Sequence, residues 1–518
     1  MCGIAGLFSK QITPDTWCDA LAKANETLKH RGPDAGNIKR WEHAALAHRR
    51  LSIIDTSVTA NQPMLDASGR YAIIFNGEIF NYPLLKNELL KKGIVFHTQS
   101  DTEVLLQLYI TEKENFLNKL NGFFAFAIYD SVENKMLIAR DRYGVKPLYY
   151  FNDDGILAFA SEMKAMNCFP IKKEIDPISL SLYFQLNYIP QPYSIFKNIK
   201  QLMPGNFLVI TENSVEEKNY YKIPFQKEKE ITPTDYSTAQ KKFASLLDDS
   251  VKRRMISDVP LGAFLSGGID SSIIVALASR YTDKLKTFSI GFRDEPFFDE
   301  TKYAKLVADK FKTDHTVFSL TTNDLFEDLF SALDYIDEPF ADSSALPVHI
   351  LSKQTRKHVT VALSGDGADE LFGGYMKHVG EYKIRNAGVT EKLIGSFDFL
   401  WKQLPRSRQS KVSNTIRRLH KLSEGLKMNL KDRYWRFASI GSNEYVNQLL
   451  NNIWLVKNET MNEAKDQWLQ NIHSSKDLNE ILLADMNLVL PNDMLVKVDR
   501  MSMANSLEVR TPFLDLAS

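Results

Sequence analysis

Apolar positions in the first 210 residues fall in short runs separated by polar turns. The runs Ile4–Phe8, Tyr71–Phe75, Phe123–Tyr129, Met136–Ala139 and Leu157–Ala160 predict strands. Two or three helices lie among them. The clearest is predicted over Asp101 to Leu120, with Val104, Leu105, Leu108 and Tyr109 on one face. Many antiparallel strands with a few helices suit a layered αββα sandwich. Residues 211–236 turn polar, rich in Lys, Glu and Thr with Pro224 and Pro233, and read as a linker. From 237 the rhythm changes. Phe243, Leu246, Leu247 and Val251 mark an amphipathic helix, and Lys286–Phe292, His315–Leu320 and His358–Leu363 read as strands with helices between. That alternation predicts a doubly wound parallel sheet. Beyond about 376 the chain reads as helical throughout, with Trp, Tyr and Leu spaced for a packed core.

Composition adds exclusions more than assignments. Of 518 residues, 44% are hydrophobic and 25% charged, ordinary for a globular protein. The formal net charge of zero gives no field that would draw nucleic acid or anionic lipid. Lys227–Glu230 and Lys252–Arg254 read as solvated faces. Three cysteines, Cys2, Cys18 and Cys168, make neither a disulfide framework nor a metal-binding spacing, which fits a reducing cytoplasm. No basic region followed by a long apolar stretch opens the chain, and no run of 18 apolar residues occurs. No membrane or nucleic-acid partner is expected.

Chemistry begins at the second residue. If the initiator Met1 is removed, Cys2 carries a thiol and a free α-amino group together. The amine, with an ordinary pKa of about 7.7–8, can serve as base for its own side chain. Downstream lie His30-Arg31-Gly32-Pro33-Asp34, Arg50-Leu51-Ser52-Ile53-Ile54-Asp55, Phe75-Asn76-Gly77-Glu78, Ser100-Asp101 and Arg140-Asp141-Arg142-Tyr143-Gly144-Val145-Lys146-Pro147. With Met1-Cys2-Gly3-Ile4, these motifs resemble, in order, the glutaminase domain of class II glutamine amidotransferases, of N-terminal nucleophile hydrolase type. The resemblance implies that Arg50 receives the glutamine carboxylate and Asp101 its ammonium, with Glu78 helping to hold the amine. It implies that the Asn76 side chain and the Gly77 N–H receive the oxyanion formed when Cys2 attacks the amide.

A second chemistry follows the linker. The apolar run from Val259 ends in Leu265-Ser266-Gly267-Gly268-Ile269-Asp270-Ser271-Ser272 and runs into a helical pattern. Strand, tight loop and helix N-terminus together present backbone N–H groups to an anion. No GxxxxGK[ST] occurs here; the loop resembles the pyrophosphate loop of the ATP pyrophosphatase superfamily. A hundred residues on, the strand ending at Leu363 enters Ser364-Gly365-Asp366-Gly367-Ala368-Asp369-Glu370-Leu371-Phe372-Gly373-Gly374-Tyr375. Two such loops would converge at the carboxyl edge of one sheet. Asp270 and Asp366 would then bind Mg²⁺, which takes one or two carboxylates plus phosphate oxygens. Glu370 would sit by the reacting carbonyl.

From Met1 to the closing stretch Leu495–Asp515, the chain resembles the glutamine-hydrolysing asparagine synthetase family, bacterial B type. The resemblance implies ATP, glutamine and aspartate as substrates, a glutaminase unit over 1–210, a synthetase unit over 237–518, and an ATP pocket of Leu265, Ser266, Gly267, Gly268, Asp270, Ser271, Ile290, Ser364 and Gly365. Leu265 and Ile290 would meet adenine or ribose through their backbones. It also implies a sheltered path for ammonia between the sites, and it admits a homodimer. Family members usually continue past the Pro-Phe-Leu-Asp motif, in a region that supplies a catalytic lysine. The expectation is therefore glutaminase activity with impaired synthesis for these 518 residues. Lys497 reads as a helix-face lysine. Three alternatives stay open: amidation of another carboxylate such as a sugar acid, a non-catalytic glutamine or nucleotide sensor, and, less favoured because Cys2 has no use there, a β-lactam-forming relative.

Overall fold

The computed structural model describes residues 2–153, 155–225, 234–297, 299–405, 411–474 and 476–516. The N-terminal half stacks two six-stranded antiparallel sheets. One runs from the central strand Gly3–Ser9, paired with Ala44–Arg50 and Ile156–Ala160. The other centres on Tyr71–Ile79, Gly122–Asp130 and Lys135–Arg140. Inward side chains of both sheets, among them Ile4, Phe8, Leu46, Ile74, Ala127 and Ile138, interleave as a dry layer. Helix Asp15–Thr27 covers the first sheet with Leu21 and Ala24. Helix Asp101–Glu112 covers the second with Leu105, Leu108 and Tyr109. The layers are helix, sheet, sheet, helix, as the apolar pattern predicts.

Two readings of this half are corrected. The helix expected to Leu120 stops at Glu112, because Lys113 adopts φ 51°, which an α-helix cannot continue through. A 3₁₀ segment carries on to Lys119. The stretch 211–236, read as a linker, supplies the strand Val215–Asn219, paired with Asn206–Ile210 at the sheet edge. An edge strand studded with exposed Glu216, Glu217 and Lys218 has the composition of a linker, because charge on an edge discourages further pairing. Residues 226–233 lie outside the described residues.

The C-terminal half is built on a five-stranded parallel sheet. Its order is Asp314–Leu320, Lys286–Phe292, Leu261–Phe264, Val361–Leu363, Glu508–Arg510. The chain leaves the central strand in one direction first and later returns on its other side, which makes a topological switch point beside Phe264. The last strand corrects the expectation of helix throughout beyond 376. Three residues, two of them charged, are too few to show a strand period, and only pairing with Val361–Leu363 makes them one. Apolar contacts seal the two halves: Phe80, Phe123 and Val145 meet Leu490, Leu495 and Leu514, and Leu51 and Ile53 meet Val361 and Met503. Among the described residues, no helix is long and apolar enough to cross a membrane.

Candidate active sites

Cys2 is buried at 7% exposure and lines a small pocket of about 340 Å³ with Arg50, Gly77, Glu78 and Asp101. Its N–H donates to Asn76 Oδ1 at 3.0 Å, and its sulfur lies 3.9 Å from the Leu51 carbonyl. Burial pushes the Cys2 thiol above its ordinary range. Asn76 sits mid-strand opposite Ala125, fully buried, and its Nδ2 has no hydrogen-bond partner. A buried, unmated donor costs about 1–3 kcal/mol. It is aimed from the same amide that holds the Cys2 backbone. A Cβ on Gly77 would lie 2.1 Å from the Phe123 carbonyl, so the strand pairing itself demands glycine here.

The charged groups of the pocket are held from behind. Arg50 Nη1 donates to the Ser57 carbonyl at 2.7 Å and to Asn61 Oδ1 at 2.8 Å, and Nη2 to the Asp55 carbonyl. Three of the five N–H donors of a guanidinium are thereby committed to the loop, and two remain. Asp101 opens the helix capped by Ser100, and its Oδ2 accepts the Ile79 N–H at 3.0 Å. Burial pushes the Asp101 carboxyl up to about 6. Glu78 is raised further, by burial and then by Asp101 beside it. Its Oε1 is buried without a partner, while Oε2 lies 3.3 Å from Arg510 Nη2.

The second site is an open cleft of about 1440 Å³ at the carboxyl edge of the parallel sheet. Parallel register Ala263↔Leu363 sends both serine–glycine loops out of the same edge. They touch: a Cβ on Gly365 would lie 2.9 Å from Ser271 N. Gly267 has φ 83° and packs on Ala304, which excludes any side chain on both counts. Gly268, whose N–H donates to Ser266 Oγ at 3.2 Å, starts helix Ile269–Ala278 without a side-chain cap. Ser266 Oγ and Ser271 Oγ lie 3.0 Å apart across the loop. The Leu265 N–H is bonded to the Phe288 carbonyl at 2.8 Å, and the residue lines the cleft. Ile290 lines the cleft from the neighbouring strand, and Ser364, Gly365 and Asp366 line it from the other side.

Burial, and next to it the charges of Asp369 and Asp366, push the Asp270 carboxyl up. A divalent cation relieves such crowding. No group of three His, Cys, Asp or Glu side chains among the described residues is set to hold a metal alone. Two cleft carboxylates therefore fit a hard cation that completes its shell with phosphate oxygens and water. Glu370, 1% exposed, accepts the Tyr375 hydroxyl at 2.5 Å, and burial raises its carboxyl. Tyr375 closes the second glycine motif and is a cleft residue that the sequence reading passed over.

The two sites share a wall. Arg510 reaches Glu78 with its side chain, donates to Glu508 at 2.5 Å and to the Arg254 and Ile256 carbonyls, and accepts the Ser364 N–H on its own carbonyl at 2.9 Å. Arg31, fully buried, donates to the Cys2 carbonyl at 3.0 Å, to Glu162 at 2.8 Å and to Asp499 at 2.8 Å. Lys146 also reaches Asp499, at 3.2 Å. The contacts of Arg510 with Glu78, of Arg31 with Asp499 and of Lys146 with Asp499 join residues hundreds of positions apart, so spacing along the chain gave no sign of them. The one signal was indirect: charged residues sitting inside the motifs without a stated use.

A buried N-terminal thiol pocket fused to a glycine-loop cleft on a parallel sheet defines a two-centre amidotransferase. Family models agree with that class: residues 1–221 match a glutamine amidotransferase domain and residues 242–517 match asparagine synthase. The glutamine-hydrolysing asparagine synthetase 1 of Bacillus subtilis is 36% identical over 99% of this chain and 79% of its own. Asparagine synthetase 3 of the same organism is 33% identical over 99% and 79%, and asparagine synthetase B of Escherichia coli 31% over 73% and 65%. Among solved structures, a glutamine phosphoribosylpyrophosphate amidotransferase from B. subtilis aligns with 61% of this chain and 65% of its own, at 17% identity and a TM-score of 0.32. The chain belongs to the family of glutamine-hydrolysing asparagine synthetases.

Proposed function

We propose that this chain makes asparagine from aspartate, glutamine and ATP, with residues 1–210 as the glutaminase and 237–518 as the synthetase. The observation that carries the reading is the shared wall: the pocket of Cys2 and the cleft of Ser364 meet on one residue, Arg510. In the pocket, Arg50 takes the carboxylate of glutamine while Asp101 and Glu78 take its ammonium. With Met1 removed, the Cys2 amine accepts the thiol proton. The thiolate attacks the side-chain amide carbon, and the oxyanion accepts hydrogen bonds from Asn76 Nδ2 and the Gly77 N–H. Ammonia leaves, and water releases glutamate from the Cys2 thioester.

In the cleft, the β-carboxylate of aspartate attacks the α-phosphate of ATP and pyrophosphate departs, held by the Ser266–Ser271 loop. Asp270 and Asp366 would hold Mg²⁺, which supplies charge neutralisation on the phosphates when bound. Ammonia then attacks the acyl carbon of β-aspartyl-AMP, and AMP leaves. Glu370, its carboxyl raised by burial and bonded to the Tyr375 hydroxyl, would receive a proton from the attacking nitrogen. The nitrogen must cross as neutral ammonia, because ammonium has no lone pair. The sealed interface between the halves shields that crossing from water.

Cys2→Ala tests the reading. Asparagine formation from glutamine should fall by about 10³-fold or more, while formation from added ammonium persists. Glutamine-dependent product from the variant would overturn Cys2 as nucleophile. Wild-type product lacking asparagine, with another carboxylate amidated in its place, would overturn the choice of aspartate.

A further inference from the structure

The nucleotide cleft is lined by five carboxylates, Asp270, Glu300, Asp366, Asp369 and Glu370, yet ATP and aspartate, the two substrates proposed to bind it, are anions. Among its described lining residues one side chain is cationic, Lys497. It lies within helix Leu495–Met503, as its spacing predicts, and is 7% exposed and lines the cleft.

The ammonium is held by a built cradle. Lys497 Nζ donates to Asp342 Oδ2 at 3.1 Å and to Ser344 Oγ at 3.0 Å. Those two partners are themselves fixed, because the Ser344 N–H and hydroxyl both donate to Asp342 Oδ1 at 2.7 Å. The third contact of Nζ is Met494 Sδ at 3.2 Å. An ammonium has three donors, and a thioether is a weak acceptor. Met494 ends a π-helical turn, Leu490–Met494, inserted directly before helix Leu495–Met503. Such turns interrupt a helix at a cost and re-aim the residues that follow. A purely structural ion pair with Asp342 would need neither the interrupted helix nor a place at the cleft wall with one donor spent on sulfur.

We propose that Lys497 is an anion-contacting residue of the cleft. On substrate binding, its third N–H leaves the Met494 thioether for an anionic oxygen, while Asp342 and Ser344 hold the ammonium in place. This rests on the synthetase reading above. The oxygen belongs either to a phosphate of ATP or to a carboxylate of aspartate; both offer the charge-assisted bond that the thioether cannot.

The test uses the full chain with Lys497→Gln and three measurements. Calorimetric titration with ATP and Mg²⁺, without aspartate, reads the phosphate source. The aspartate KM for AMP release with ammonium reads the carboxylate source. Glutamine hydrolysis reports that the molecule remains folded. We expect at least a tenfold loss in one of the first two and no change in the third; which of the two moves identifies the source. Asp342→Asn, a positioning change, should move the same parameter by about threefold. If Lys497→Gln loses glutamine hydrolysis as well, the double variant Lys497→Gln/Asp342→Asn, which leaves neither charge unpaired, replaces it and must show the same tenfold loss. ATP affinity and aspartate KM both unchanged, with hydrolysis intact, would overturn the proposal. A wild-type chain that binds ATP but releases no AMP with aspartate would sink the synthetase reading, while the ATP titration would still judge Lys497.

Discussion

The Cys2 pocket and the nucleotide cleft solve opposite binding problems. The pocket is small, buried and lined by charges that already have partners behind them, Arg50 in its loop and Glu78 against Arg510. The cleft is larger, open, and crowded with carboxylates beside two glycine loops, the first of which opens a helix that no side chain caps. A zwitterion of fixed shape is recognised by side chains set in advance. A polyphosphate is recognised by backbone donors and cations, with acids kept to hold a metal. The difference also has a direction. The pocket borrows Arg510 and Asp499 from the second half of the chain, whereas the cleft is lined by second-half residues alone.

That asymmetry can be broken first at Arg510. Arg510→Met strips the counter-charge from buried Glu78 and Glu508, which by the usual cost of breaking a buried pair removes about 3–5 kcal/mol of stability. Denaturant unfolding would measure it, and the glutamine KM of the surviving fold should rise. An unaltered glutamine KM would mean that the pocket is self-sufficient and the borrowed charge idle. From the other side, Asp366→Asn should slow aspartate-dependent pyrophosphate release by about 10²-fold. Glutamine hydrolysis should continue at the wild-type rate, because among the described residues Asp366 hydrogen-bonds to Ser364, within the second half. Parallel loss of both activities would mean that the two regions are one site energetically.

The smallest effect is graded by pH. The Asp101 carboxyl, lifted from 3.8 to about 6, must be ionised to hold the ammonium of glutamine. Glutamine kcat/KM should therefore carry an acid limb from Asp101 that falls toward tenfold per unit below about 6, separate from the limb of the Cys2 amine at higher pH. The sign for folding is the reverse of a salt-bridged acid. The folded state binds this proton more tightly than the unfolded one, so the group's contribution to the fold is fully present below about 4 and is lost as pH rises through about 6. Asp101→Asn should abolish the acid limb, leaving glutamine use at its low-pH level. An acid limb that survives this change would assign the ionisation to Glu78.

How much was legible beforehand follows from distance along the chain. The sandwich and the parallel sheet could be read because each strand carries its own apolar run, and the two serine–glycine loops because strand, turn and helix start are contiguous. The misreadings share a cause. Val215–Asn219 was taken for linker because an exposed edge strand is polar, and Glu508–Arg510 was missed because three residues show no period. Lys497 does lie in a helix, but helical spacing reports which side a residue is on, not what lies opposite it.

The sequence alone determined the candidate reacting groups: a thiol beside an amine at the start, an amide and glycine on one strand, and acids within glycine turns. These depend on neighbours a few positions away, whose backbone preferences are local. Only the tertiary structure decided which charges face each other. Arg510 against Glu78, Arg31 between Cys2 and Asp499, and Lys497 in its Asp342 cradle each join segments far apart in the chain. The physical reason is that a buried ion pair gains its strength from the exclusion of water, and water is excluded only once the layers have closed.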